Sequence, residues 1–221
     1  MAEGQDEKLK ALASKHIEFS KFVGKLKCVK RTGWVRSGVD DAESVADHMF
    51  RMAWMAMSIG QDVEGVDVQK AVKMALVHDL AEAKVGDLVI VGEKERQDKI
   101  TKEEKAKIEL QCMEDVANEL GGEFGKEVLD LFNEFEAHET PTARFLGDLD
   151  KLEMILQCEE YEIEQNMCMP SFFKTTKDFF QTPVCKAMDA QLRARHHERL
   201  EKAGNPENPT KNGYPCGVQK K

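Results

Sequence analysis

Two histidines and a group of carboxylates in this chain fall where burial would be costly unless they bind something. The stretch Leu76-Val77-His78-Asp79-Leu80-Ala81-Glu82-Ala83-Lys84-Val85-Gly86-Asp87 follows an apolar lead-in, Ala71, Val72, Met74 and Ala75, that predicts an interior helix. An unpaired imidazole or carboxylate there costs several kcal/mol, and a bound cation offsets that cost. His78 and Glu82 are one helical turn apart, so Glu82 shares the ligand face about 6 Å along the axis. At that distance a carboxylate can hold a metal-bound water and take or deliver its proton, a general acid/base role. Asp87, beyond Gly86, is placed to bind a second ion or to accept from a substrate hydroxyl.

Two further polar residues sit at core-facing positions of other predicted helices. His48 lies three residues after Val45 and four before Met52, and Asp150 lies four after Leu146 and four before Met154. His48, His78, Asp79 and Asp150 together make a nitrogen and oxygen donor set suited to Mn, Co, Fe, Zn or Mg rather than to a thiophilic metal. Four protein ligands on a six-coordinate ion leave two positions for water and a substrate oxygen, so such a site can generate hydroxide and polarise a phosphoryl oxygen. Singly, each residue has a plainer reading: a histidine on an apolar face is more often a hydrogen-bonded core residue, and Asp150 alone reads as a helix salt bridge. The set carries the inference.

The elements that must position these groups are helices. An amphipathic repeat covers residues 7–28, with Leu9, Leu12, His16, Phe19, Phe22, Val23 and Leu26 on one face. The loop Arg31-Thr32-Gly33-Trp34-Val35-Arg36-Ser37-Gly38 follows, notable for an Arg and a Trp. Acids at residues 40–44 start a helix that runs to about Ile59, with Val45, Met49, Met52, Ala53, Ala56 and Met57 apolar. A charged helix over Lys99 to Leu120, another from Phe124 to about Ala137, a long one from Pro141 to about Asn166 and a last one from Val184 to about Lys202 complete the pattern. The aromatic stretch 170–182 reads as a short helix or packed loop.

Composition bounds the rest. The chain of 221 residues is 41% hydrophobic and 33% charged, as in ordinary globular proteins; one domain is expected, and the scarcity of proline and of β-branched alternation favours helix over sheet. Its net charge of −9 argues against a nucleic-acid backbone or an anionic membrane as the main partner. No run of 18 apolar residues exists, the first residues lack the order of a signal peptide, and the six cysteines are scattered, so a cytoplasmic protein with reduced thiols is expected. His16, His138 and the pair His196-His197 lack companions at ligand spacing and are expected at the surface or core edge. Met49, Met52, Met55 and Met57 are read as core or dimer packing, and Glu93-Lys94-Glu95-Arg96 as a solvated face. Residues 1–8 are expected to be a flexible start, 9–202 the domain and 203–221 a disordered tail.

In order and spacing, His48, His78-Asp79, Glu82, Asp87 and Asp150 resemble the signature of the HD-domain superfamily of metal-dependent phosphohydrolases. Within it the chain is most similar to the bacterial 5′-deoxynucleotidases and the eukaryotic HD domain-containing protein 2 group. The matching stretches are Lys30-Arg31-Thr32-Gly33-Trp34, Glu43 to His48, Leu76 to Glu82, Val85-Gly86-Asp87 and Leu149 to Gln157. The resemblance covers roughly residues 10–200. It implies an all-helical HD-domain bundle with the metal in its core, a homodimer, and removal of phosphate from deoxyribonucleoside 5′-monophosphates with a divalent metal. It also implies Glu82 as the catalytic carboxylate, Arg31 as the phosphate contact, and Asp87 as a contact to the sugar 3′-hydroxyl or, with Glu82, a ligand to a second ion. In the bacterial relatives an aromatic directly follows that Arg and packs on the 2′ carbon of the sugar; here Trp34 comes three residues after Arg31 and is carried into the substrate-binding set. Two alternatives stand beside this reading: hydrolysis of another nucleotide phosphate ester (a triphosphate, a cyclic nucleotide or an alarmone), or a non-catalytic, metal-stabilised dimeric binding module.

Overall fold

Four of the helices, α3, α4, α6 and α8, begin where a side chain satisfies free N–H groups. In a computed structural model that describes residues 2–88 and 100–202, Ser44 and Asp47 form a capping box at the start of α3 (Val45–Ile59). Asp67 accepts from the Lys70 N–H at 3.0 Å to open α4 (Val68–Ala75). Thr101 and Glu104 form a second capping box ahead of α6 (Lys102–Leu120). Thr140 caps α8 (Pro141–Glu164) by accepting from the Ala143 N–H, and the first residue of the helix is a proline, which has no N–H and needs no acceptor. The remaining helices are α1 (Ala2–Gly24), α2 (Thr32–Arg36), α5 (Glu82–Val85), α7 (Gly122–Ala137), α9 (Pro170–Thr175) and α10 (Pro183–Lys202). The described residues contain no strand, only an isolated bridge between Lys30 and Ser44.

The long α8 is the central element, packed by α3, α4, α7, α9 and α10. Its Phe145, Leu146, Leu149, Leu152 and Ile155 are fully buried, as the apolar repeat predicts. α3 runs antiparallel along it: the Glu43 N–H donates to the Tyr161 hydroxyl at 2.7 Å at one end, and Gly60 meets Phe145 at the other. α6 and α7 form a hairpin in which Gly125 lies against the Ala117 carbonyl, where any Cβ would collide.

Three boundaries differ from the sequence expectation. α1 begins at Ala2, ahead of the apolar repeat, and its residues 4–10 are exposed to solvent. α6 starts at Lys102 because Thr101 caps it there. The stretch of residues 76–81 is a series of tight turns rather than continuous helix, with Leu80 N–H to Val77 O and Glu82 N–H to Asp79 O marking the change in repeat. Met57 faces solvent rather than the core, and His196 is buried rather than at the surface. The run Glu93–Arg96 and the tail 203–221 lie outside the described residues.

Candidate active site

The predicted ligands converge. α3 supplies His48, the turns after α4 supply His78 and Asp79, and α8 supplies Asp150. Ligand atoms of His48, His78 and Asp150 all lie within 4.8 Å of one another. Asp79 Oδ2 lies 3.3 Å from His78 Nε2 and 3.9 Å from His48 Nε2, and Asp150 Oδ1 lies 3.4 Å from His48 Nε2. Both imidazoles are buried, and the other nitrogen of each ring is engaged: His78 Nδ1 with the Ala75 carbonyl at 2.9 Å, His48 Nδ1 with Glu153 Oε2 at 2.5 Å. Their Nε2 atoms are buried and meet no hydrogen-bond partner. Two orphaned imidazole nitrogens aimed at two carboxylates fit a divalent cation, and nothing else in the donor set contradicts one.

Charge is arranged around this centre. Burial opposes ionisation of Asp79, yet His78, Arg31 and His48 hold its carboxyl well below the usual range. Burial likewise opposes ionisation of Asp150, which Lys151, His48 and Arg31 hold low. Lys151 Nζ donates to Asp150 Oδ2 at 2.8 Å. Burial and Arg31 oppose protonation of His48, but Glu153 and Asp150 raise its pKa to about 9. Arg31 Nη1 donates to Asp79 Oδ2 at 3.2 Å, and Nη2 lies 3.9 Å from Asp150 Oδ1.

Glu82 is 1% exposed, and its Oε2 has no partner. Burial, then the charges of Asp79 and Asp87, push its pKa up to about 10, against the opposing pull of Arg31 and Lys105. At neutral pH it therefore carries a proton. It sits beside the ligands as expected, but as the first residue of α5 after a run of turns, rather than one turn along a continuous helix from His78.

Arg31 and Asp87 are brought together by a latch. Asp87 accepts from the Thr32 N–H through Oδ2, and the Thr32 hydroxyl donates to the Asp87 carbonyl at 2.8 Å. Gly86, at φ 76°, makes the turn that brings Asp87 there. Arg31 is thus the residue preceding α2, pinned at its start and turned toward the carboxylates.

Trp34 departs from expectation. It is 2% exposed, stacked on Phe172 at 4.3 Å between centroids and edge-on to Tyr161 at 5.4 Å, and its Nε1 donates to Glu43 Oε1 at 2.9 Å. With its ring covered it offers no face to a sugar. The reason is geometric: Arg31 precedes α2 with extended backbone (ψ 110°) and turns to the carboxylates, whereas Trp34 lies inside the helix and is directed into the core.

Several residues were not found by sequence reasoning. Glu153 is three residues after Asp150 on the same face of α8, a spacing that could have revealed it. Lys105 and Glu109 on α6 form an ion pair at 3.3 Å and are mostly buried. Burial opposes the charge on Lys105, but Glu109, Asp79 and Glu82 raise its pKa, which marks it as facing the carboxylate cluster. Its partner loops are too distant in sequence for any periodicity to show this.

Comparisons with known proteins agree with this geometry. An HD domain model matches residues 23–188. A 5′-deoxynucleotidase HDDC2 from Dictyostelium discoideum is 46% identical over 190 residues, covering 81% of this chain and 97% of that protein. The Homo sapiens protein of the same name is 37% identical, covering 86% and 90%. Among solved structures, a conserved hypothetical protein from Pyrococcus furiosus superposes with a TM-score of 0.65 at 28% identity, over 80% of this chain and 97% of that one. A protein from Pyrococcus horikoshii gives 0.63 at 30% identity, over 80% and 96%. With its histidines and aspartates gathered at one buried centre and the domain model spanning most of its length, the chain belongs to the HD-domain family.

Proposed function

We propose that this protein is a divalent-metal-dependent 5′-deoxynucleotidase that converts deoxyribonucleoside 5′-monophosphates to deoxynucleoside and phosphate. The observation that carries the reading is the buried pair of partnerless Nε2 atoms facing Asp79 and Asp150, with the buried, partnerless Glu82 Oε2 and the Arg31 guanidinium alongside. His48, His78, Asp79 and Asp150 would hold the ion, and their donor chemistry suits Co, Mn, Mg, Fe or Zn. Such an ion supplies Lewis acidity toward a phosphoryl oxygen and acidifies water at neutral pH.

The protein's own residues do the remainder. Arg31 neutralises the phosphoryl oxygens and orients the ester for in-line attack by water at phosphorus. As the bond from phosphorus to the 5′-oxygen breaks, Glu82 gives its proton to that oxygen, and the proton released by the attacking water resets it. Asp87 is adjacent to meet the sugar 3′-hydroxyl, and Lys105 adds positive charge from α6.

We further assign the outer face of α3 to a homodimer contact. Phe50, Trp54 and Met57 recur at one-turn spacing opposite His48 and Met52, and Phe50 and Trp54 are 64% and 56% exposed. Among the described residues no helix is long and apolar enough to cross a membrane. Cys28, Cys112, Cys158 and Cys185 are free thiols, which suits a reducing cytoplasm.

Phosphate release from dAMP, AMP and dATP, each with Co, Mn and Mg, tests the reading. The expected result is release from dAMP with at least one of these metals and none after chelation. Turnover of the triphosphate alone would point to the alternative phosphate-ester chemistry, and no turnover of any nucleotide by metal-loaded protein to a binding module.

A further inference from the structure

Behind the metal centre, α3 and α8 are joined by a polar ladder that the proposed hydrolysis does not use directly. Glu153 is fully buried; its Oε2 lies 2.5 Å from His48 Nδ1, and its Oε1 accepts from Arg51 Nε at 2.7 Å. Arg51 is held in turn by Glu160 Oε2 at 2.6 Å and by the Gln157 side-chain oxygen. On α8, Asp150, Glu153, Gln157 and Glu160 follow at intervals of three, four and three, so one face of one helix carries both the proposed ligand and this support. On α3, His48 and Arg51 are three apart and reach the same carboxylate.

We propose that Glu153, clamped by Arg51, is the positioning residue that aims His48 Nε2 at the metal. The inference rests on His48 being a ligand. An imidazole binds a cation only through a nitrogen without hydrogen, and its other nitrogen must then carry the hydrogen. A carboxylate at Nδ1 accepts that hydrogen, locks the ring orientation and makes Nε2 a better donor, as hydrogen-bonding partners of metal-binding histidines do. Glu153 needs its own anchor for this. Arg51 both compensates its buried charge and fixes which oxygen faces His48, while Gln157 and Glu160 keep the guanidinium in plane. His78 receives only a backbone carbonyl at the same place, so the two histidines are supported unequally and His48 is the ligand tuned by charge.

The test is a cobalt titration of the full chain, read by the visible absorption of the bound ion, together with the thermal midpoint of the metal-free protein. Glu153→Gln keeps the shape and removes the charge; it is expected to weaken cobalt binding about 10- to 100-fold, the loss typical of such partners. Glu153→Asp keeps the charge but withdraws it by one methylene, and is expected to weaken binding by a comparable factor; it decides the matter should the glutamine variant fail to fold. Asp148→Asn separates positioning from stability. Asp148 is fully buried and accepts from the Gln181 and Thr182 N–H groups at the start of α10, away from the metal centre, so its loss should lower the midpoint and leave cobalt affinity unchanged. Cobalt bound as tightly by the folded Glu153 variants as by the wild type would overturn the inference. A wild type that binds no cobalt, or a His48→Ala variant that binds it normally, would overturn the ligand assignment beneath it.

Discussion

At the residue scale the decisive feature is the contrast between neighbouring carboxyl groups. Asp79 and Asp150 lie beside His48, His78, Arg31 and Lys151 and stay ionised, whereas Glu82 has burial and two like charges against it and keeps its proton. Environments that separate the pKa values of adjacent acids suit some to hold a cation and another to carry a proton, the roles proposed for them above. Glu82→Gln is therefore expected to lower kcat by about 10²- to 10⁴-fold while metal content, measured by elemental analysis, stays at the wild-type level. Glu43 gives a second, stability-linked case. Burial, then the nearby Glu153, raise its pKa to about 7, above the ordinary 4.5, so its neutral form is favoured in the folded state. A raised acid leaves stability intact below about pH 4.5 and erodes it as pH rises toward 7. The thermal midpoint of Glu43→Gln should accordingly gain on that of the wild type between pH 4.5 and 7 and hold a constant lead above it. A midpoint difference independent of pH would show that Glu43 is not held neutral.

At the scale of elements, α2 is too short to be stable alone and is built as a carrier. Asp87 fixes its first turn, the Trp34 indole fixes its far side between Phe172 and Tyr161, and Arg31 is thereby held over Asp79. Trp34→Ala is expected to cost about 3–5 kcal/mol in denaturant unfolding, the usual range for emptying such a site. Trp34→Phe should cost less, because stacking survives and only the hydrogen bond to Glu43 is lost. Both should raise KM for the monophosphate more than they lower kcat, since Trp34 acts only through the placement of Arg31. An unchanged KM in a folded Trp34→Ala protein would show that α2 is positioned by the Asp87 latch alone.

At the scale of the molecule, an acidic protein must receive an anionic substrate, and it does so by local charge. Arg31, Lys151 and Lys105 come from three separate elements to the carboxylate cluster, against an overall charge of −9. The apolar stripe of α3 lies on the opposite face of the helix that carries His48, so a dimer formed there would stiffen the ligand-bearing helix from behind. Trp54→Glu should shift sedimentation from dimer to monomer, and a wild-type protein that sediments as a monomer would remove this face from consideration.

Much was legible in the sequence because it is local. Apolar repeats of three and four gave α3 and α8 and turned His48 and Asp150 inward, and the acids at residues 40–44 and Pro141 marked helix starts. The order of His48, His78-Asp79, Glu82, Asp87 and Asp150 gave the family, and hence the chemistry to expect. Other matters depended on contacts between segments far apart in the chain. That Trp34 is a core residue follows from Phe172 and Tyr161 covering it, and that Asp87 holds Thr32 follows from a turn at Gly86 that periodicity does not register. The support of His48 by Glu153 and Arg51, and the approach of Lys105 to the acids, exist only once α3, α6 and α8 are packed. Periodicity determines which face of a helix is buried, because that depends on residues a turn apart; it does not determine what that face meets, and for a buried charge the partner is what decides its ionisation and its role.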